Sequence, residues 1–312
     1  MSSLSETVLA GSGNTAQMKV RHIREKTLWL ILMGCAGLSI LVTAAIIFML
    51  LKESLPFFAY VPLTDFFFGT EWAPLFEPAK FGVLPLIVGT LHITIGAALI
   101  AIPFGLASGI YMSEYASPRV RSFLKPVLEV LAGVPTIVYG YFALTFITPF
   151  VVKKLFPQAE VFNSASGAIV VGIMILPLIA SLCDDAFRAV PASLRQAGFA
   201  MGATKFEVSL QIVLPAALSG VFAAFILALS RAIGETMAVT LAAGATPRLT
   251  ANPLTSVQTL TAFIVQVAQG EAQHGEVAYQ SIFAVALLLF VITLLMNFAA
   301  HKVLKRFREA YD

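Results

Sequence analysis

The chain has 312 residues, 58% hydrophobic and 12% charged, with a mean hydropathy of +0.88 and a formal net charge of +3. Soluble domains sit nearer half apolar and a quarter charged, so a water-soluble enzyme is excluded and an all-α polytopic membrane protein is expected. The small positive excess implies no nucleic acid. The two cysteines, Cys35 and Cys183, have no His or Cys at ligand spacing, which argues against a disulfide framework or a metal site.

Residues 1–27 are polar and Ser/Gly-rich, then basic. They read as a mobile cytoplasmic tail and not as a cleaved signal, because the apolar run behind them is long enough to cross a bilayer. A spanning helix needs about 20 residues. Six runs meet or approach that length: 28–51, 81–112, 127–152, 165–183, 216–243 and 277–300. The first transmembrane helix is therefore placed at 28–51 and a periplasmic segment at 52–80. A five-helix core follows at 81–301, with a cytoplasmic tail at 302–312.

The 52–80 segment carries Trp72, four prolines and the run Phe66-Phe67-Phe68. Such a segment suits an irregular surface for an external partner, or aromatic anchoring at the membrane interface. The run 81–112 is too long for one span and contains Pro85 and Pro103, which predicts a short interfacial helix leading into a kinked span from Leu86. Gly105 and Gly109 in that span, and Gly234, Ala238 and Ala242 in the fifth, set small residues four apart. That spacing lets helices approach closely, within one chain or across a dimer seam. His92, alone on the second span, reads as a hydrogen-bonded packing residue.

Residues 184–215 interrupt the apolar pattern with DDAFRAVPASLRQAGFAMGATKFEVSLQIVLP. Pro191 suits a first helical turn because it has no N–H to leave unpaired. Leu194, Ala197 and Met201 then share a face, and Gly202 ends the helix. Thr204 and Glu207 form a capping box for a second helix with a Phe206, Leu210, Val213 stripe, which Pro215 stops. Asp184, Asp185 and Glu207 balance Arg188, Arg195 and Lys205. A lipid-surface loop would instead carry a basic edge, so two amphipathic helices with balanced charge read as a docking element. The Lys and Arg of the connections give the orientation. With the N-terminus inside, fourteen lie on the cytoplasmic side and five outside, which puts both termini and this loop in the cytoplasm.

One span carries a full ionic pair, in Ser230-Arg231-Ala232-Ile233-Gly234-Glu235-Thr236. Helical spacing of four puts Arg231 and Glu235 on one face. An intramembrane charge costs at least about 2.5 kcal/mol, so the two should face a cavity or each other. One reading is a pair that only fixes packing. The other gives Arg231 to a passing anion, with Glu235 accepting a hydrogen bond from a protonated one, which would favour phosphate over sulfate. The chain has no Gly-x4-Gly-Lys-Ser/Thr, Gly-x-Ser-x-Gly or His-Glu-x-x-His, so a nucleotide- or ester-hydrolysing centre is not expected in it.

The docking loop resembles the cytoplasmic signature of ABC importer permeases, Glu-Ala-Ala, three residues, Gly, nine residues, Ile-x-Leu-Pro. Here it stands as Gln196-Ala197-Gly198, then Gly202-Ala203-Thr204, then Ile212-Val213-Leu214-Pro215, with Gln196 and Gly198 departing from the usual residues. The stretches Ile110-Tyr-Met-Ser-Glu114-Tyr-Ala, Leu131-Ala-Gly-Val-Pro135-Thr-Ile-Val-Tyr-Gly140 and Arg231-Ala-Ile-Gly-Glu235-Thr-Met-Ala-Val-Thr240 look like the PstC-type permease subunits of phosphate-specific importers. That resemblance implies a type I importer permease fold in a bacterial inner membrane. It also implies a PstA-type permease partner, two PstB-type ATPases that bind the ATP and Mg, and a periplasmic PstS-type phosphate binder. In it Arg231, Glu235 and Thr236 lie on the substrate path, and no cofactor belongs to this chain. Open alternatives are a permease for molybdate or sulfate, a stand-alone secondary anion transporter, and a membrane scaffold or sensor.

Overall fold

The computed structural model describes residues 3–270 and 276–307, and the rest of the tail expected at 302–312 lies outside it. Among the described residues five helices are long and apolar enough to cross a membrane, or six if one bent pair counts as a span. The chain divides into two units, 1–52 and 53–312.

The described residues of the first unit are helical, as part of α1, Ser3–Tyr60. Its apolar run leaves Leu32, Ile40 and Phe48 exposed, as lipid-facing side chains are. The sequence reading had set a tail before residue 28 and an external segment from 52. Helical backbone occupies both boundaries, because no Gly or Pro interrupts 38–55 and Pro56 is accommodated inside the helix.

The second unit opens with α2, Leu63–Phe68, and a two-stranded antiparallel pair, β1 Trp72–Ala73 and β2 Lys80–Phe81. α3, Leu84–Ile110, then runs unbroken past Pro103 into a π-helical turn, Tyr111–Tyr115. The short helix expected at the start of the 81–112 run does not form, and the chain passes from β2 into α3 within two residues. Pro85 sits in its first turn, where the missing N–H costs nothing. α4, Pro118–Ala132, is capped by Ser117. Gly133 ends it and Pro135 opens α5, Thr136–Phe142, which widens into a π-helical stretch, Ala143–Val152. The expected span 127–152 is thus two helices, separated by Gly-Val-Pro.

α6, Ser164–Arg188, is capped by Asn163, whose Oδ1 accepts from the Ser166 N–H at 2.8 Å. It is the axis of the main core. Val170, Met174, Ile175, Ile179, Cys183 and Phe187 are all buried at helical spacing. Its neighbour α3 approaches through small residues. A Cβ on Gly105 would lie 2.7 Å from Ile179 Cγ2, and one on Gly109 would lie 2.7 Å from Cys183 Cβ. The Gly105/Gly109 pair therefore builds the monomer. Lipid gives apolar side chains no reason to leave it, so close contact of this kind is what holds spanning helices together. His92 departs from expectation, since its Nδ1 is buried without a hydrogen-bond partner.

After α6 come α7, Ala192–Ala200, and α8, which starts at Lys205–Glu207 and passes through a π-helical turn, Val208–Val213, to Leu214–Ala216. A 72° bend at Ala217 leads into α9, Leu218–Ile233. α10, Met237–Ala243, α11, Leu260–Ala268, and α12, Val277–Phe307, complete the unit. The expected span 216–243 is therefore broken at Gly234. A second core lies at the end opposite the 184–215 loop along α3. There Phe57, Phe66, Trp72 and Phe81 meet Leu86, Phe263 and Val285.

Candidate functional site

Two constellations follow from the fold, one in the 184–215 loop and one at the break between α9 and α10.

The loop is a helical hairpin whose turn is determined residue by residue. Gly202 has φ +84°, the left-handed region that favours glycine, and no atom would obstruct a side chain there. The residue is needed for its backbone and not for space. Ala203 N–H donates to the Gly198 carbonyl at 3.2 Å and Gly202 N–H to Phe199 at 3.0 Å, the two bonds of a Schellman close. Thr204 then opens α8. Its N–H donates to Glu207 Oε2 at 2.7 Å, and Glu207 N–H returns to Thr204 Oγ1 at 3.4 Å, the reciprocal box expected from the sequence. Gly198 is where the arms touch, because a Cβ there would fall 2.5 Å from Ile212 Cδ1.

The apolar faces differ from the sequence reading. Leu194 and Gly198 turn inward on α7, whereas Ala197 and Gln196 are exposed and Met201 protrudes, 87% exposed. On α8 the π-helical turn rotates the pattern, so that Val208, Ser209 and Val213 are buried and Phe206 is left 64% exposed. Ile212 and Leu214 are half-buried and Pro215 is exposed. Phe199, Met201 and Phe206 thus form an apolar crown that this chain does not cover.

Three ionic groups behind the crown escaped the sequence reading. Asp184, fully buried, takes a forked contact from Arg121 of α4, with Nη2 at 2.6 Å and Nε at 3.2 Å, and Lys125 lies 3.8 Å away. The Asp184 hydrogen bond raises the Arg121 pKa above its ordinary value against a smaller opposing effect of burial. Lys125 also pairs with Asp185 at 2.5 Å. Arg195 pairs with Glu114 on the π-helical turn at the end of α3. These partners lie 60 to 81 positions apart, a distance at which no local periodicity speaks. The one available signal was their common side by the charge count.

At the second constellation the predicted ion pair does not exist. α9 ends at Ile233, Gly234 caps it, and the chain turns before Glu235, so spacing of four no longer places the two residues on one face. Glu235 is 8% exposed, and its Oε1 accepts the Ala238 N–H at 3.1 Å in the first turn of α10, where a carboxylate is favoured. Its backbone carbonyl accepts from Thr261 Oγ1 at 2.6 Å. Thr236 is half-buried, and its hydroxyl donates to the Gly234 carbonyl at 3.1 Å. Arg231 is exposed. Its hydrogen bond among the described residues runs from Nη2 to the Ala132 carbonyl at the end of α4, at 3.5 Å, the limit of useful range. A guanidinium has five donors, so most of this one's capacity remains open to an anion. The arrangement is an exposed cation in the last turn of α9, with a buried carboxylate just beyond the break.

The sequence profile described as "Binding-protein-dependent transport system inner membrane component" matches residues 101–309, a range that holds every residue of both constellations. The chain is 34% identical over 296 residues to the "Probable ABC transporter permease protein YqgH" of Bacillus subtilis, covering 94% of this chain and 93% of that protein. It is 32% identical over 260 residues to the "Phosphate transport system permease protein PstC" of Mesorhizobium japonicum, with 78% of each chain covered. The protein of that name from Xylella fastidiosa strain 9a5c is 34% identical over 261 residues, covering 78% of this chain and 79% of that one. Among solved structures, the fold is similar to a chain of the inward-facing MetNI methionine ABC transporter. That likeness has a TM-score of 0.55 and 19% identity, over 73% of this chain and 96% of the other.

Proposed function

This chain belongs to the family of binding-protein-dependent transport system inner membrane components, and we propose that it is the PstC-type permease subunit of an ATP-driven phosphate importer. It is a multi-pass membrane protein and an ABC transporter permease by its relatives and fold. The finer reading adds a bacterial inner membrane, with both termini and the 184–215 hairpin on the cytoplasmic side. The Phe199, Met201, Phe206 crown then seats in a groove of a PstB-type ATPase. One ATPase serves this chain and a second serves a PstA-type permease partner. A PstS-type protein delivers phosphate from the periplasm. ATP and Mg belong to the ATPases, whose closure rocks the spans between outward- and inward-facing states.

The observation that carries the substrate assignment is Arg231, exposed and nearly unpaired at the α9 break, with Glu235 buried beyond it. In the proposed passage Arg231 donates to an anionic oxygen and Thr236 lines the way. Glu235 keeps one oxygen on the Ala238 N–H, which leaves the other to accept from a protonated oxyanion. Phosphate carries such a proton near neutral pH and sulfate does not.

The test is uptake of labelled phosphate, sulfate and molybdate by the four-component complex in proteoliposomes, with and without ATP. Phosphate uptake that needs both ATP and the ATPase is expected. Uptake without them would make the protein a secondary transporter, and preferred molybdate or sulfate would make it a permease for another oxyanion. In Glu235→Gln the preference for phosphate over sulfate should narrow. Unchanged phosphate transport in that variant would remove Glu235 from the selectivity argument.

A further inference from the structure

The π-helical turn Tyr111–Tyr115 that closes α3 holds both arms of the hairpin through neighbouring side chains. Glu114 accepts from Arg195 of α7, with Nη2 at 2.8 Å and Nε at 3.2 Å, and the two side chains are 9% and 19% exposed. The same guanidinium donates to the Phe187 and Val190 carbonyls, each at 2.7 Å, where α6 ends and its last carbonyls lack helical partners. Tyr115, the next residue, lies under the Lys205 ammonium of α8, 5.0 Å from the ring centroid. A π turn holds an extra residue and so swings successive side chains to directions a regular helix does not offer. Here it points one side chain at each arm. Among the described residues, Glu114–Arg195 is the ion pair that joins a hairpin arm to a spanning helix, since Arg121 and Lys125 tie α4 to α6.

We infer that Glu114 and Arg195 are positioning residues for transport: they carry displacement of the hairpin into α3 and α6 together. The inference rests on the reading of the hairpin as the ATPase's docking element. Without the pair, backbone continuity still links the hairpin to α6. The hairpin could then pivot about that link without moving the packed α3–α6 pair, and ATP would be spent without completing the rearrangement. Lys205 over Tyr115 is the weaker partner on the other arm.

The experiment uses the complete complex in proteoliposomes, with phosphate uptake and ATP hydrolysis read from the same vesicles. Glu114→Gln keeps the side-chain shape and removes the charge. Uptake per ATP hydrolysed should fall by between about fivefold and about 100-fold, the range of a coupling free energy between two sites. Arg195→Lys, which keeps charge but loses the fork, should fall between wild type and Glu114→Gln. The exchange Glu114→Arg with Arg195→Glu should recover part of the ratio, and Lys205→Ala should move it least. A pair that only holds the fold together would reduce the amount of assembled complex and leave the ratio alone. An unchanged ratio in Glu114→Gln overturns the inference. If the wild-type complex carries another anion, the functional reading fails separately, and the ratio is measured with that anion.

Discussion

The two inserts of this chain are anchored by opposite means. The one around 61–83 buries Phe66 and Trp72 in a ring cluster, where Trp72 stands perpendicular to Phe263 with centroids 4.8 Å apart and Phe66 packs edge-on to Phe57 at 5.7 Å, and it leaves Phe68 and Phe76 exposed. Backbone bonds close it, Val83 N–H to the Phe66 carbonyl at 2.8 Å and Gly82 N–H to Glu71 at 2.9 Å. The insert at 184–215 is fastened by charge, through Asp184 and Arg195, and leaves Phe199, Met201 and Phe206 in the open. Aromatic packing anchors the first segment, and ion pairs anchor the second.

Four changes sharpen or break that contrast, with the two largest effects on stability in detergent first. Asp184→Ala strands Arg121 and Lys125 around a buried site. It should cost about 3–5 kcal/mol, the usual result of removing one partner of a buried pair, read as a lower unfolding temperature. Trp72→Ala should cost about 3–4 kcal/mol by opening a cavity in the aromatic core around Phe66 and Phe263. Its hairpin counterpart, Phe206→Ala, should stay within about 0.5 kcal/mol while weakening co-purification of the ATPase. If Phe206→Ala destabilised as much as Trp72→Ala, the distinction between a ring that anchors its segment and one that only faces outward would be wrong. Gly202→Leu forces a branched side chain into left-handed backbone. It should cost about 1–2 kcal/mol and, by tilting the crown, reduce uptake per ATP at least as much as Glu114→Gln.

The smallest effect is one of pH. Glu160 accepts the Ser256 N–H and the Arg248 guanidinium, each at 2.8 Å, and these bonds hold its pKa below the usual carboxylate range. A depressed folded-state value means the clasp stabilises fully above about pH 5 and is lost as the pH falls below about 4. Because the Glu160 side chain is 40% exposed, solvent screens much of this, so Glu160→Gln should flatten the acid limb of a thermal-shift profile only slightly. An acid limb as steep as wild type's would deny the clasp any role.

What the sequence disclosed was local. Six apolar runs and the hairpin's boundaries were readable, because Pro191, Gly202 and the Thr204–Glu207 box act within a few residues of themselves. The break at Gly133-Val-Pro135 was readable by the same chemistry and was passed over, because the apolar run looked continuous. Gly234 reads as a packing residue in the sequence but ends a helix in the structure, which separates Arg231 from Glu235. No local rule could have revealed Arg121 on Asp184 or Arg195 on Glu114, since those contacts exist only after α3, α4 and α6 have assembled. The substrate assignment drew on Arg231, which remains in place. Its partner turned out to be backbone.

The seam between α3 and α6 has a mechanical consequence. Gly96 abuts Ala168, Gly105 abuts Ile179 and Gly109 abuts Cys183, so much of the contact is backbone against short side chains. Long side chains can absorb a relative shift by changing rotamer, but glycine and alanine have no rotamers to change. The two helices therefore behave as one stiff beam across the bilayer. Bending is confined to the beam's ends and to the broken helix alongside it, so a push delivered at one surface arrives at the other undamped.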